Sequence, residues 1–149
     1  MPRRLDPPYR FLIDECLGLR DVPNAMTAAL DAGESVIPFQ EMFARSTADE
    51  VWLRKAGAAG LVIITKDDRL RFRPNERAAL IDANTAVFTV ASGTGSSMAA
   101  TLVQGLPTMR RVLRGQKPPL VGRVLNNGSI ALHIVDGVDA RKTVKRPVG

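Results

Sequence analysis

"STADEVWLRKAGAAGLVIITKDDRL", Ser46–Leu70, is the stretch on which the fold turns. Within it, Leu61–Thr65 is an unbroken run of apolar and β-branched residues that ends on a lysine and two aspartates. A run apolar at every position, not at alternate ones, is the pattern of a strand covered on both faces, as in parallel sheets. The preceding residues predict a helix. Ser46 and Thr47 offer N-caps, Asp49 and Glu50 fall in the first turn, Val51, Trp52 and Leu53 are apolar, and Gly57 and Gly60 close it.

The same alternation extends in both directions. "FLIDE", Phe11–Glu15, predicts a short buried strand that ends in two carboxylates. Pro23 marks a helix over Asn24–Ala32, Gly33 stops it, and Val36-Ile37 is a second short strand. Downstream, Pro74–Ala83 predicts a helix and Thr85–Val90 a buried strand. "ASGTGSS", Ala91–Ser97, opens a longer helix over Met98–Leu113, interrupted near Gly105-Leu106-Pro107. Strands alternating with helices predict an α/β fold of three layers, a mostly parallel central sheet with helices on both faces. Two alternating runs around Asn126-Asn127-Gly128 predict a C-terminal β-hairpin appended to the sheet edge. The chain therefore divides into a flexible arm (1–10), one domain including the hairpin (11–136) and a basic tail (137–149).

Composition bounds the function. A chain of 149 residues, 45% hydrophobic and 24% charged, suits one globular domain. No apolar run reaches the ~20 residues of a membrane span, and the N-terminus lacks the pattern of a signal peptide, so no membrane partner is expected. Cys16 is the sole cysteine, which excludes an internal disulfide and fits a reducing, cytoplasmic setting. With one histidine and one cysteine, a zinc site lacks its preferred ligands, and any metal would be held by oxygen. A net charge of +6 favours polyanionic partners, nucleic acid or an acidic protein. Aromatic residues are 5% of the chain, which disfavours a single-strand binder built mainly on stacking.

Three acidic pairs fall where loops converge at the carboxyl ends of parallel strands, or within reach of that rim. They are Asp14-Glu15, Asp49-Glu50 and Asp67-Asp68. Each alone has an ordinary reading as a cap, a helix-dipole partner or a turn. Gathered at one rim they repel one another, unless a cation holds them together. A hard divalent ion such as Mg²⁺ or Mn²⁺ suits oxygen donors of this kind. Arg69, Arg71 and Arg73 follow at once and either meet phosphates or form an exposed face. "SGTGSS", Ser92–Ser97, reads first as a capped turn, with Thr94 and Ser96 as substrate contacts if a phosphate sits at that helix start.

"FLIDE" followed by "STADEVWLRKAGAAGLVIITKDDRL" resembles the PIN-like domains, in particular the small branch related to the toxin nucleases of VapBC toxin–antitoxin systems. The resemblance covers about Phe11 to Val90, and the helix–strand–Thr-Lys-Asp unit is its most specific part. It implies a Mg²⁺- or Mn²⁺-dependent endoribonuclease that cuts RNA without a covalent intermediate. It further implies a cognate antitoxin protein as partner and leaves room for a homodimer. By position, Asp14 is then the central metal ligand on the first strand, Asp49 the acid on the helix and Asp67 the acid after the third strand, with Glu15 or Asp68 as a fourth ligand. Larger PIN domains place a glutamate between the first strand and the later acids. Asp31, Glu34 and Glu41 lie in that region here, and none matches. Two other classes stay open: a PIN-like module that binds RNA or protein without cutting, and a phospho-receiver, which needs a lysine after the last parallel strand.

Overall fold

The computed structural model describes residues 5–148. Seven strands, β1 (Arg10–Ile13), β2 (Ser35–Pro38), β3 (Val62–Thr65), β4 (Ala86–Val90), β5 (Leu120–Val124), β6 (Ile130–Val135) and β7 (Val138–Val144), form one sheet in the order β2-β1-β3-β4-β5-β6-β7. The first five are parallel, and β6 and β7 continue the sheet antiparallel. Helices α1 (Asp21–Ala28), α2 (Asp49–Ala58), α3 (Pro74–Ala83) and α4 (Gly95–Gly115) connect the parallel strands. The expected three-layer α/β architecture is the one observed.

Alternation along the strands builds two cores, because successive side chains point to opposite faces. Phe11, Ile13, Val62, Ile64, Ala86 and Phe88 pack with α1 and α4 on one face. Leu12, Ile63, Val87 and Val121 pack with α2 and α3 on the other, where Trp52 meets the Phe39 ring edge-on at 5.4 Å. β3 is buried at all four positions, as its unbroken apolar run requires. The connections through α3 and α4 carry the chain the same way along the sheet but cross opposite faces. They are therefore of opposite hand, and the α4 crossover differs from the other three. That placement sets the start of α4 beside the start of α1. A Cβ on Gly95 would come within 2.5 Å of Asp21 Oδ2.

Several boundaries differ from expectation for local reasons. α1 begins three residues early, at Asp21, and admits Pro23 in its first turn, where the missing N–H costs nothing. α2 starts at Asp49 after Ala48, without a side-chain cap, so neither Ser46 nor Thr47 is the N-cap. α4 runs unbroken through Pro107. The expected hairpin around Asn126-Asn127-Gly128 is present as β5 and β6, but β5 is also the fifth parallel strand, so the hairpin is built into the sheet and not appended to its edge. The expected arm lies partly outside the described residues. Of its described part, Tyr9 is buried and Arg10 belongs to β1. The expected tail contains β7, joined to β6 by the two-residue turn Asp136-Gly137, both at positive φ. Exposed on both faces, β7 carries Arg141 and Lys142, charges of the kind that protect a sheet edge. Among the described residues, no helix is long and apolar enough to cross a membrane.

Two predictions follow from packing. α2 crosses α3 so closely that a Cβ on Gly57 would stand 2.2 Å from the Ala83 carbonyl oxygen. Gly57→Ala is expected to destabilise by about 1–3 kcal/mol in urea denaturation, although alanine favours an open helix by ~1 kcal/mol. A stabilised variant would contradict the close crossing. On β6, burial and then the charges of Arg71 and Arg123 push the His133 imidazole below its usual 6.5. Stability from the neutral ring is then fully present above that unfolded-state value and lost as pH falls through the folded one. The urea midpoint is expected to fall from neutral pH into this acid range, and His133→Gln to flatten that part of the profile.

Candidate active site

The strand order places a switch point at β1 and β3, which are neighbours in the sheet. After β1 the chain goes through α1 to one side, and after β3 through α3 to the other, so a crevice forms beyond their carboxyl ends. Asp14 and Thr65 stand there. The Asp14 N–H donates to the Ile64 carbonyl at 2.9 Å, extending the ladder by one residue. The buried Thr65 hydroxyl donates to Asp14 Oδ2 at 2.8 Å and accepts the Asp67 N–H at 3.2 Å. One hydroxyl thus fixes the first-strand carboxylate and the start of the acidic turn. Asp14 occupies the N-cap position of the one-turn 3-10 helix Glu15–Leu17 but makes no capping bond with its side chain. Its carboxylate is not used as a cap.

Register extends this row across the sheet. Thr65 lies opposite Thr89, and Thr89 opposite Arg123. The Thr89 hydroxyl is buried without a hydrogen-bond partner among the described residues, and Arg123 reaches Asp68 at 3.4 Å. Three further acids, Asp49, Asp67 and Glu76, gather on one guanidinium. Arg73 donates to both oxygens of Asp67, at 3.0 and 2.9 Å, and stands 3.8 Å from Asp49 and 3.6 Å from Glu76. Its hydrogen bond to Asp67 is the largest cause raising its pKa, with the charges of Asp67 and Glu76 adding against burial, so it stays a cation. The Trp52 indole, anchored in the core, donates to Asp49 Oδ1 at 2.9 Å and turns that carboxylate. Asp67 also accepts the Arg69 N–H at 3.1 Å, which closes the turn.

The structure thus brings Asp49 and Asp67 onto one cation and ties Asp14 to the same loop through Thr65. Glu15 leaves the strand at once by opening the 3-10 turn. Of the three arginines expected to meet phosphates, Arg69 is exposed, Arg71 stacks on Phe72, and Arg73 is turned inward onto the acids. Thr94 is the N-cap of α4, accepting the Ser97 N–H at 3.0 Å, and its hydroxyl is 3.3 Å from that of Ser96. With the Asp21 carboxylate against Gly95, that helix start already faces a negative charge. Asp31 and Glu34 are committed elsewhere, to Arg110 at 3.1 and 2.9 Å. Cys16 packs with its sulfur 3.6 Å from the Thr65 hydroxyl. Burial, then the Asp14 charge, raise its pKa and keep the thiol protonated.

Sequence reasoning assigned no site role to Thr65, although it belongs to the Thr-Lys-Asp unit, nor to Glu76, Thr89 and Arg123. Glu76 was visible as an acid in the first turn after Pro74. Arg123 was obscured because β5 was read as part of an appendage.

The donor chemistry of the rim fits a hard divalent cation, since every candidate ligand offers oxygen and a positive charge already sits among three carboxylates. Among the described residues, no three acidic, histidine or cysteine side chains are grouped as a ready metal cage. Arg73 takes the part of the cation.

Comparison with known protein families gives a match. The family described as a PIN-like domain covers residues 9–92. No curated protein and no solved structure matches the chain. The matched span runs from β1 through β4 and contains every acid of the rim. PIN-like domains are commonly nucleases and typically use divalent metals. A match over more than half of the chain, on a parallel α/β sheet with its acids at the β1–β3 crevice, makes this protein a member of the PIN-like domain family.

Proposed function

We propose that the protein is a Mg²⁺- or Mn²⁺-dependent endoribonuclease, acting as the toxin of a toxin–antitoxin system in the cytoplasm. The observation that carries the reading is the Thr65 hydroxyl, which ties Asp14 to the loop whose Asp67 meets Asp49 at Arg73. Asp14, Asp49 and Asp67 would hold the ion, with Glu15, Asp68 or Glu76 supplying a further oxygen. Bound there, a divalent cation lowers the pKa of a water and neutralises charge on a phosphoryl oxygen.

The chain's own residues do the rest. Thr65 and Trp52 orient Asp14 and Asp49 by donating to one oxygen of each, which leaves the second oxygen of each outside these bonds. Arg73 keeps the carboxylates from repelling one another before the cation arrives. Displaced from them, it is a guanidinium at the rim, suited to a phosphate oxygen. The net charge of +6 favours both an RNA substrate and the acidic segment of an antitoxin.

A module that binds without cutting is the competing reading, and one observation favours it: Arg73 already satisfies Asp67 with two hydrogen bonds. A phospho-receiver has less support, because β5 ends in Val124 and continues to Leu125, with no lysine.

Cleavage separates these readings. Purified protein is expected to cut RNA with Mg²⁺ or Mn²⁺ and to stop when the ion is chelated. Asp14→Asn should lower the rate on the order of a hundredfold or more while the thermal melt is retained. Cleavage that survives both chelation and Asp14→Asn would sink the assignment.

A further inference from the structure

We propose that the cleft between the loop after Asp68, the start of α3 and the β6–β7 hairpin is a nucleotide subsite for single-stranded RNA. Arg71, Phe72, Arg77, His133, Asp139 and Arg141 line it, around a space of about 680 Å³. That volume lies within the ~300–1,000 Å³ of small-molecule sites. The proposal takes its ligand class from the nuclease reading, and it adds a second place where the strand is held.

Four observations converge. Phe72 is 66% exposed, a large exposure for a phenylalanine, and the Arg71 guanidinium covers its ring at 4.0 Å from the centroid. An aromatic ring in such a setting is a platform on which a base of any identity can stack. The lining carries three guanidiniums against one carboxylate, and Asp139 is already paired with Arg77 at 2.9 Å. The excess positive charge suits a phosphodiester backbone. Arg71 Nε is buried with no hydrogen-bond partner among the described residues, so a shift of that side chain to meet an arriving phosphate would break no bond at that nitrogen. Finally, the cleft adjoins the acidic rim. Arg71 and Phe72 follow Asp67-Asp68 in the chain, and Asp68 is joined to Arg123 on the strand beside β6.

The charge pattern also suits an acidic peptide, but an exposed ring backed by arginine favours bases. It is a single platform, which agrees with the low aromatic content, and it would position a strand without reading its sequence. β7 contributes Arg141 and Asp139, so the strand that the sequence concealed as a tail forms one wall.

The test is binding of a short fluorescein-labelled oligouridylate to the full chain in EDTA, where no metal-dependent cleavage occurs. Phe72→Ala is expected to weaken binding about tenfold. Arg141→Ala should lower the slope of log affinity against log salt by about 0.7, the contribution of one phosphate contact on a single strand. Both residues are exposed, so unchanged melts are expected and serve as the check on folding. Wild-type affinity and salt slope in both folded variants would overturn the proposal. So would unaltered RNA binding together with polyglutamate binding that depends on Phe72 and Arg141, which would assign the cleft to an acidic protein. Wild-type protein that never cuts RNA with Mn²⁺, while Phe72→Ala still loses binding, would remove the nuclease reading and leave the subsite. Metal-dependent cutting with both variants binding normally would do the reverse.

Discussion

The pairing of β1 with β3 is the constraint on which the rest of the molecule depends. Phe11–Ile13 lie parallel to Val62–Ile64, every one of them at most 1% exposed, so the register is fixed by two cores at once. A slip of one residue would exchange the side chains facing α1 and α4 with those facing α2 and α3. With the register set, Asp14 must emerge beside Thr65, and the loop after β3 must start within reach of that carboxylate. The site is therefore a consequence of core packing before it is a matter of surface charge. Replacing Thr65 by valine would keep the shape of that packing and remove the hydroxyl that links Asp14 to the loop.

Charge compensation is the second constraint. Asp49, Asp67 and Glu76 stand around a single guanidinium, and Asp68 finds Arg123. These pairs are partly solvated, and an isolated pair in such a setting contributes typically below about 1 kcal/mol, with the two-bond Arg73–Asp67 contact the strongest of them. They hold the loop together without locking it. Because Arg73 is still partly solvated, it is a cation that can be exchanged, whereas a fully buried pair would cost several times more to break. The same loop then turns outward through Arg71 and Phe72, so one segment joins the acids to the basic cleft.

Much of this was written in the residues. The central strands β1, β3 and β4 were recognisable by their apolar runs, Leu61–Thr65 most of all, whereas β5 carries Gly122 and Arg123 and gave no such signal. Asp14 and Asp67 could be placed at one rim because they directly follow such strands. What could not be read was contact between elements. Arg73 looked like a phosphate ligand from its neighbours in the chain, and only the fold shows it turned toward Asp49, an acid twenty-four positions earlier. Thr65 stood in the Thr-Lys-Asp unit, but nothing in the chain gave its hydroxyl a role. β7 was missed although Asp136-Gly137 between valines is a strong hairpin signal. Its strand lies exposed on both faces, so its composition reads as a solvated tail. Arg123 and Thr89 drew no notice because the register that aligns them with Thr65 exists only in the assembled sheet.

The central claim is that the rim carboxylates form a site for a divalent cation with Arg73 as its built-in competitor. Mn²⁺ binding followed by electron paramagnetic resonance tests this without reference to RNA or to cleavage. The account predicts one saturable Mn²⁺ site, lost in Asp67→Asn and tightened in Arg73→Ala, with Mg²⁺ competing for it. Saturable binding that ignores both substitutions, or none at all even in Arg73→Ala, would contradict it.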